Sequence, residues 1–319
     1  MRLTRRPLPR WTLPAALLAA LGLAAWINEP IPGVTGREAR AVAALPPAPA
    51  FRSGQRVLLL SPHPDDETLC CAGLLSQARA AGAQVYVTWI TAGDGFEFDA
   101  ALTERTLHPR GRALRELGER RVQEARAAAR VLGVPADRQV FLGYPDGGLR
   151  ALNGRNYARP YTSPRTGSSA VYLREAQTPG APFTGQALDA DLERVLRRVR
   201  PDMILIPAHE DFHPDHHTLT LIAQRLASRL GLTDRLRYWV VHGGLEWPLP
   251  KGLHTALPLV PPPLARALPW QRVPLSAGDQ QVKAQAVNAY RTQTEVLGRF
   301  MRAFVRRNEL LSPADQPGR

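Results

Sequence analysis

The sequence predicts an α/β fold of Rossmann-like type, with a mostly parallel sheet, helices on both faces and a single domain with long loop inserts. Three observations support this prediction. From residue 55 onward, short apolar runs alternate with longer stretches of helical periodicity. The composition, 44% hydrophobic and 22% charged, is that of a globular protein. The 319 residues are enough for one large domain, and we find no internal repeat.

Each element follows from its local pattern. The apolar runs predicted as strands are residues 56–60, 84–90, 139–143, 202–207 and 237–241. Helical patterns lie between and after them, at about 66–82, 113–133, 186–200, 214–230 and 277–307. Gly231 follows the fourth helix at a position where glycine commonly ends a helix. In a sheet of this type the reactive crevice lies beyond the carboxyl ends of the strands.

Two long segments interrupt this alternation. Residues 143–183 are rich in Gly, Pro, Tyr and Arg, and residues 247–274 are rich in Pro. Loops of this length in a compact domain usually cover a site. The first insert carries aromatic rings that could stack on sugars and arginines that could bind carboxylate or phosphate. An ordinary surface loop is the alternative, and the sequence leaves both open. The tyrosines of this insert are Tyr144, Tyr157, Tyr161 and Tyr172.

The N-terminal residues 1–28 have the order of a signal peptide or an uncleaved membrane anchor. Basic residues come first, and an apolar run from Trp11 to Ile27 follows. A buried core helix is the alternative, and four arginines ahead of the run argue against it. Residues 29–54 are predicted to be an Ala/Pro-rich linker, 55–310 the main folded domain and 311–319 a tail. We expect an exported protein, periplasmic, extracellular or tethered to the cytoplasmic membrane, whose N-terminal segment contacts the membrane if it is not cleaved.

Charge and cysteine content limit the function classes. The net charge is +13, but the basic residues are scattered, which favours a solvated arginine-rich surface. No nucleic-acid-binding motif is present, so we expect no nucleic-acid partner. Cys70 and Cys71 are the only cysteines. Adjacent cysteines rarely form a disulfide without strain, so we interpret them as small core residues.

Acidic and histidine side chains are concentrated directly after the first strand, in "SPHPDDET" at residues 61–68. Acids in the first turn of a helix are stabilised by the helix dipole, by about 0.3–1 kcal/mol each. That effect accounts for one or two of Asp65, Asp66 and Glu67, but it does not explain His63 at the end of the strand. A positive group at this point would explain the whole cluster.

A second cluster, "HEDFHPDHHT" at residues 209–218, follows another predicted strand. Pro214 suits the first position of a helix with His213 at its cap, which puts His213 and His216 three residues apart on one side of the first turn. Since the carboxyl ends of parallel strands face one crevice, the two clusters can meet. Two histidines and a carboxylate with one open position are the ligands of a catalytic zinc. The alternative is a pair of capped helices with solvated histidines.

Both clusters resemble the signature motifs of one enzyme family. "PHPDDE" (62–67) and "HPDHH" (213–217) are similar to those of the PIG-L/LmbE-type deacetylases, zinc-dependent enzymes that remove acetyl from N-acetylglucosamine-containing substrates. Weaker similarity extends over most of residues 55–293. It includes "RRVQEARAAARVLGV" (120–134), "GYPDGGL" (143–149) and "KAQAVNAYRTQ" (283–293).

The resemblance implies a role for particular residues. His63, Asp66 and His216 match the zinc ligands, and Asp65 matches the general base. His213 matches the histidine that steadies the tetrahedral intermediate, protonated beside the metal, and Asp215 would orient it. Arg121 matches a substrate-contacting arginine. Some members carry a mobile tyrosine where this chain has Asp211, which we therefore expect to face substrate hydroxyls. His217 is assigned no role.

The expected function is hydrolysis, through a zinc-activated water, of the acetamide of a GlcNAc-containing small molecule, glycolipid or polysaccharide. The ligand set favours zinc and also admits iron or cobalt. A nearby alternative is a zinc amidase or esterase of the same fold with a non-sugar substrate. An alternative of another class is a membrane-tethered glycan-binding protein. No G-x-S-x-G or Walker A motif is present, which favours hydrolysis without a covalent intermediate.

Overall fold

A computed structural model describes residues 22, 24, 27–95, 109–244 and 246–313. Its sheet has seven strands in the order β3-β2-β1-β4-β5-β7-β6. Strands β1 to β5 pair in parallel, and β7 runs antiparallel to both β5 and β6. The mostly parallel sheet is confirmed. The strands are β1 Arg56–Ser61, β2 Gln84–Thr91, β3 Gln139–Tyr144, β4 Met203–Pro207, β5 Leu236–Trp239, β6 Gln271–Pro274 and β7 Asn308–Pro313.

The helices that cover this sheet are named in chain order. They are α1 Pro32–Ala43, α2 Asp66–Ala80, α3 Arg112–Val131, α4 Leu149–Leu152, α5 Gly185–Val199, α6 Pro214–Leu230, α7 Ala277–Ala289 and α8 Arg291–Arg302. The two central strands β1 and β4 are apolar along nearly their whole length because helices cover both of their faces.

The strand order determines where a site can form. From β1 the chain proceeds outward through β2 and β3, and from β4 it proceeds in the other direction through β5. The order therefore reverses between β1 and β4, and a crevice opens beyond their carboxyl ends. The segments after Ser61 and after Pro207 both begin at this crevice. They are the two clusters that the sequence singles out.

Helix α2 is held by an ion pair inserted into its own hydrogen-bond ladder. The Lys283 ammonium donates to the Leu69 carbonyl at 2.7 Å and to the Glu309 carboxylate at 2.6 Å. Glu309 in turn accepts the N–H groups of Gly73 and Leu74, at 2.9 and 2.7 Å. Both charged side chains are fully buried. The pair links α2, α7 and β7 through groups that a helix normally satisfies within itself.

The C-terminal part differs from the prediction. The expected helix over 277–307 is two helices that meet at Tyr290, followed by β7. Residues 311–313, assigned to the tail, belong to that strand, and Leu311 is buried. Strands β6 (QRVP) and β7 (NELLSP) are mostly polar, so no continuous apolar run marks them in the sequence. Cys70 and Cys71 are buried as expected, but their sulfurs lie 2.25 Å apart as a disulfide.

The N-terminal part differs as well. Residues 29–54, expected to be a linker, contain helix α1, and Leu45, Ala48 and Phe51 pack on the core. The expected signal peptide or anchor at residues 1–28 lies almost entirely outside the described residues. Among the helices that the structure does describe, none combines the length and the apolar character needed to span a membrane.

Candidate metal centre and active site

The turn between β1 and α2 presents the first group of side chains. Asp65 stands at the cap of α2 with a φ of 123°, a conformation that non-glycine residues rarely adopt. Its amide donates to the buried Glu67 carboxylate at 3.2 Å. Glu67 also accepts hydrogen bonds from the Trp89 indole and the Tyr290 hydroxyl. These contacts hold the unusual backbone turn in place.

Three side-chain atoms from the two clusters form a compact triangle. His63 Nδ1 lies 3.2 Å from Asp66 Oδ2. His216 Nε2 lies 3.1 Å from the same oxygen and 3.3 Å from His63 Nδ1. Zinc bound tetrahedrally at about 2.0–2.1 Å separates its ligand atoms by about 3.3–3.4 Å. The predicted ligand set therefore converges, at separations that fit a divalent metal of this size.

The far nitrogen of each histidine faces a carboxylate. His63 Nε2 lies 3.4 Å from Asp215 and 3.5 Å from Asp146, and His216 Nδ1 lies 3.2 Å from Asp211. A carboxylate behind a histidine is the usual second layer of a metal site, where it orients the ring and makes it a better donor. The arrangement leaves Nδ1 of His63 and Nε2 of His216 to face the centre of the cluster.

The pKa values of the cluster follow from this packing. Burial lowers the pKa of His216, but Asp211 and Asp66 raise it by more, to about 9. Burial raises the pKa of Asp66, yet His216 and His63 hold it well below its usual value. The cluster thus attracts positive charge, either protons on the imidazoles or a metal ion. Protons and metal compete for the same nitrogens.

His213 is the N-cap residue of helix α6. His213 Nδ1 accepts the Asp215 backbone N–H at 3.2 Å, which places the ring hydrogen on Nε2. Burial and the neighbouring histidines lower the pKa of His213 to about 2. This lowering of the pKa favours a neutral ring, with an N–H available to donate, over the expected protonated one. The Asp215 carboxylate, expected to orient His213, instead accepts N–H groups of Gly147 and Leu149 and faces His63.

The Arg121 side chain is bonded to the Asp65 carboxylate. Its guanidinium donates to Asp65 Oδ2 at 2.9 Å and to the carbonyls of Gly93 and Pro64. Burial raises the pKa of Asp65 to about 7, and Arg121 opposes that rise. The Arg121 side chain is only 4% exposed but lines the cavity, so a contact with substrate stays a prediction beside this positioning contact.

Asp211 also differs from the expectation. It is 3% exposed, and its carboxylate accepts the backbone N–H groups of His213, Val241 and His242. These bonds, together with His216, use both carboxylate oxygens. The prediction that Asp211 faces substrate hydroxyls is therefore wrong for this structure, because the side chain points into the protein behind His216.

A cavity of about 1260 Å³ opens over the cluster. Both long inserts contribute to it, as predicted: Tyr161 and Arg165 from the first, Trp247 and Leu264 from the second. The other three tyrosines of the first insert do not line the cavity and bond to carboxylates of the protein. Tyr144 donates to Asp191, Tyr157 to Asp189 and Tyr172 to Asp94. His217 pairs with the His209 carbonyl.

Two residues of the site were missed from the sequence. Asp146 lines the cavity beside His63, and His242 packs at 4.8 Å from His216, measured between ring centroids. They follow β3 and β5, so both lie at the carboxyl edge of the sheet. The signal was available in "GYPDGGL" and in the residues just after "RYWVV", where polar groups follow a strand.

Comparison with known proteins gives a consistent result. The family described as PIG-L, GlcNAc-PI de-N-acetylase, matches residues 58–227. A 1D-myo-inositol 2-acetamido-2-deoxy-alpha-D-glucopyranoside deacetylase of Kribbella flavida is 29% identical over 214 residues, 64% of this chain and 62% of that protein. The enzyme of the same name from Nakamurella multipartita is 34% identical over 179 residues, 54% of this chain and 56% of that protein. The chain thus matches less than two thirds of the length of either relative.

Solved structures show the same fold. The A40926 pseudoaglycone deacetylase superimposes with a TM-score of 0.53 at 20% identity, over 81% of this chain and 96% of that one. The N,N'-diacetylchitobiose deacetylase of Pyrococcus horikoshii superimposes with a TM-score of 0.50 at 17% identity, over 83% and 87% of the two chains.

Proposed function

Since the chain belongs to the PIG-L deacetylase family, we propose that it removes the acetyl group from an N-acetylglucosamine-type substrate with a metal held by His63, Asp66 and His216. One observation supports this most strongly. The donor atoms of the three side chains lie within 3.3 Å of one another, beside an aspartate that is not one of the ligands. The names of the relatives, which are deacetylases of acetamido sugars, support the substrate class.

Zinc is the metal that we propose, since two imidazoles and one carboxylate with a position left open form a typical catalytic zinc site. When bound, such a metal lowers the pKa of a water ligand towards about 7 and polarises a carbonyl.

Asp65 is proposed as the general base. It adjoins the ligand Asp66 and is free of the donor triangle, so it can take a proton from the attacking water and pass it to the departing amine nitrogen. General acid–base catalysis of this kind contributes about 10²- to 10⁴-fold in rate. Arg121 keeps the carboxylate in position and favours its charged form.

His213 is proposed to stabilise the oxygen of the tetrahedral intermediate. Its Nδ1 is occupied by the Asp215 amide, so Nε2–H is the group left to donate. The ring lies 4.6 Å from that of His63, between centroids, which places it at the metal cluster. A fixed donor aimed at developing charge contributes most when it needs no reorganisation during the reaction.

An exported location remains our proposal, supported by the basic and then apolar order of residues 1–28. Fractionation of the producing cells, followed by detection of the chain, tests it directly. Recovery with the cytosol would contradict it.

The activity is tested by acetate release. The purified protein is incubated with chitooligosaccharides and with N-acetylglucosaminyl lipids, with zinc or with a chelator. We expect acetate only when the metal is present, and recovery of activity when zinc is restored after chelation. Release from simple amides or esters but from neither sugar would favour the amidase alternative. Release that a chelator does not affect would contradict the metal site.

A further inference from the structure

Three large apolar side chains are exposed at the mouth of the active-site cavity. Phe212 is 77% exposed, Leu264 51% and Phe300 44%. Single exposed apolar residues are common on soluble proteins, but three around one opening form a patch that marks a binding surface. We call Phe212, Leu264 and Phe300 the apolar rim.

The rim is continuous with the catalytic cluster. Phe212 donates its backbone N–H to the His242 carbonyl at 3.0 Å, and Leu264 donates to the Gly243 carbonyl at 3.1 Å. Two members of the rim are thus attached to adjacent residues of one segment. His242 of that segment lies 5.1 Å from the His213 ring, between centroids. The rim therefore surrounds the entrance to the site and not a remote surface.

The Phe300 end of the rim lies close to the last residue of the N-terminal segment. Lys251 Nζ lies 4.5 Å from the centroid of the Phe300 ring. The backbone N–H of the same lysine donates to the Ile27 carbonyl at 2.7 Å. Ile27 is the last residue of the apolar run that begins at Trp11, behind four arginines. Ile27, the end of that run, therefore lies close to the Phe300 end of the apolar rim.

We propose that the apolar rim docks on the surface of a lipid bilayer, so that the active-site cavity opens towards the membrane. The apolar rings would lie at the boundary between headgroups and acyl chains, about 5–10 Å deep. Stable membrane attachment usually takes two signals. The N-terminal apolar run supplies one, and the rim supplies the second.

This inference rests on the proposed function only in taking the cavity as the active site. It adds a direction of entry: the substrate reaches the cavity between the rim side chains, from the side that faces the bilayer.

A position-specific probe in the full-length chain tests the docking. Leu264→Cys is labelled with a nitrobenzoxadiazole fluorophore, and Ser53→Cys serves as the matched control. Ser53 is exposed and precedes β1, at the opposite edge of the sheet from the cavity. The native cysteines are buried and paired, so the new thiol is the one that reacts. The protein is then mixed with phosphatidylcholine/phosphatidylglycerol vesicles, with and without nitroxide-labelled lipid.

We expect the label at residue 264 to shift to shorter wavelength with vesicles and to be quenched by nitroxide lipid, while the label at 53 does neither. Phe212→Cys, tested in the same way, should behave like residue 264. Water-like emission at both rim positions in vesicle-bound protein would overturn the proposal, and so would a chain that stays in solution. Emission already shifted without vesicles would show that protein covers the rim, and would overturn it too. The labels report position without turnover, so a failed acetate assay is a separate result.

Discussion

Asp65 shows how individual contacts prepare a side chain for chemistry. Its backbone φ of 123° is held by the Glu67 carboxylate, and its own carboxylate is held by Arg121. Neither contact was recognisable from the motif alone. With Glu67 holding its backbone and Arg121 its carboxylate, Asp65 lies in the cavity beside the donor triangle without being part of it.

Asp65→Asn should retain the metal and lose most activity, because the amide keeps the shape of the carboxylate but cannot accept the proton. We expect kcat to fall by about 10²- to 10⁴-fold. Metal content by atomic absorption and acetate release together check this. Normal turnover at normal metal content would remove Asp65 from the mechanism.

Arg121→Met should move the pH dependence of the reaction. The rate rises with pH as Asp65 loses its proton, and Arg121 favours the charged carboxylate. Without that positive charge the pKa of Asp65 rises, so the acidic limb of kcat/KM should shift to higher pH. Arg130→Met, in the last turn of α3, is the control and should leave the profile unchanged. An unshifted limb with a raised KM would restore the substrate-contact role instead.

At the scale of elements, α2 carries Asp66, the proposed metal ligand, and depends on groups far along the chain. Lys283 and Glu309 bond to three of its backbone groups, and Gln77 binds the Pro274 carbonyl. The C-terminal helices and strand are therefore part of the support of the site, although the family match ends at residue 227.

Lys283→Met should destabilise the protein by about 3–5 kcal/mol, since it leaves Glu309 buried and unpaired. Denaturant unfolding measures the change. The exposed pair Arg291 and Glu295 provides a control, and Arg291→Gln should hardly move the midpoint. Replacing Glu309 by Leu in the Lys283→Met protein should recover part of the loss. Equal midpoints for Lys283→Met and Arg291→Gln would show that the buried pair is not needed.

At the scale of the whole molecule, the site joins two halves of the sheet. His63 and Asp66 follow β1, and His216 follows β4, at the point where the strand order reverses. A metal bound there links segments that are 150 residues apart, so binding should stabilise the fold as well as enable chemistry.

Zinc should raise the unfolding temperature, and a chelator should lower it. Free metal at a hundred times its dissociation constant stabilises the folded state by about 2.7 kcal/mol. The zinc-dependent shift should persist in Asp65→Asn and disappear in His63→Ala, which loses a ligand. Differential scanning calorimetry measures both. Full metal content and an unchanged shift in His63→Ala would contradict the ligand assignment.

Much of the fold was predictable because its signals are local. Each of the five parallel strands matches its predicted bounds within two residues. Strands β6 and β7 were not predicted, because their mostly polar sequences carry no apolar run and they gain their stability from pairing with each other and with β5. Helix α1 was not predicted, because it lies in an Ala/Pro-rich stretch that was interpreted as a linker. The residues that follow this helix pack on the core.

The residues that could bind a metal were recognisable in the sequence as two imidazole–carboxylate clusters, each placed directly after an apolar strand. The groups that stand behind them became visible only in the folded chain. Asp211 was expected to face substrate and lies behind His216, and Arg121 was expected to contact substrate and holds Asp65. The physical reason is that residue type and spacing establish which atoms can bind a metal or a proton. The direction of a buried charge depends on backbone donors from remote segments, which only the folded chain brings together.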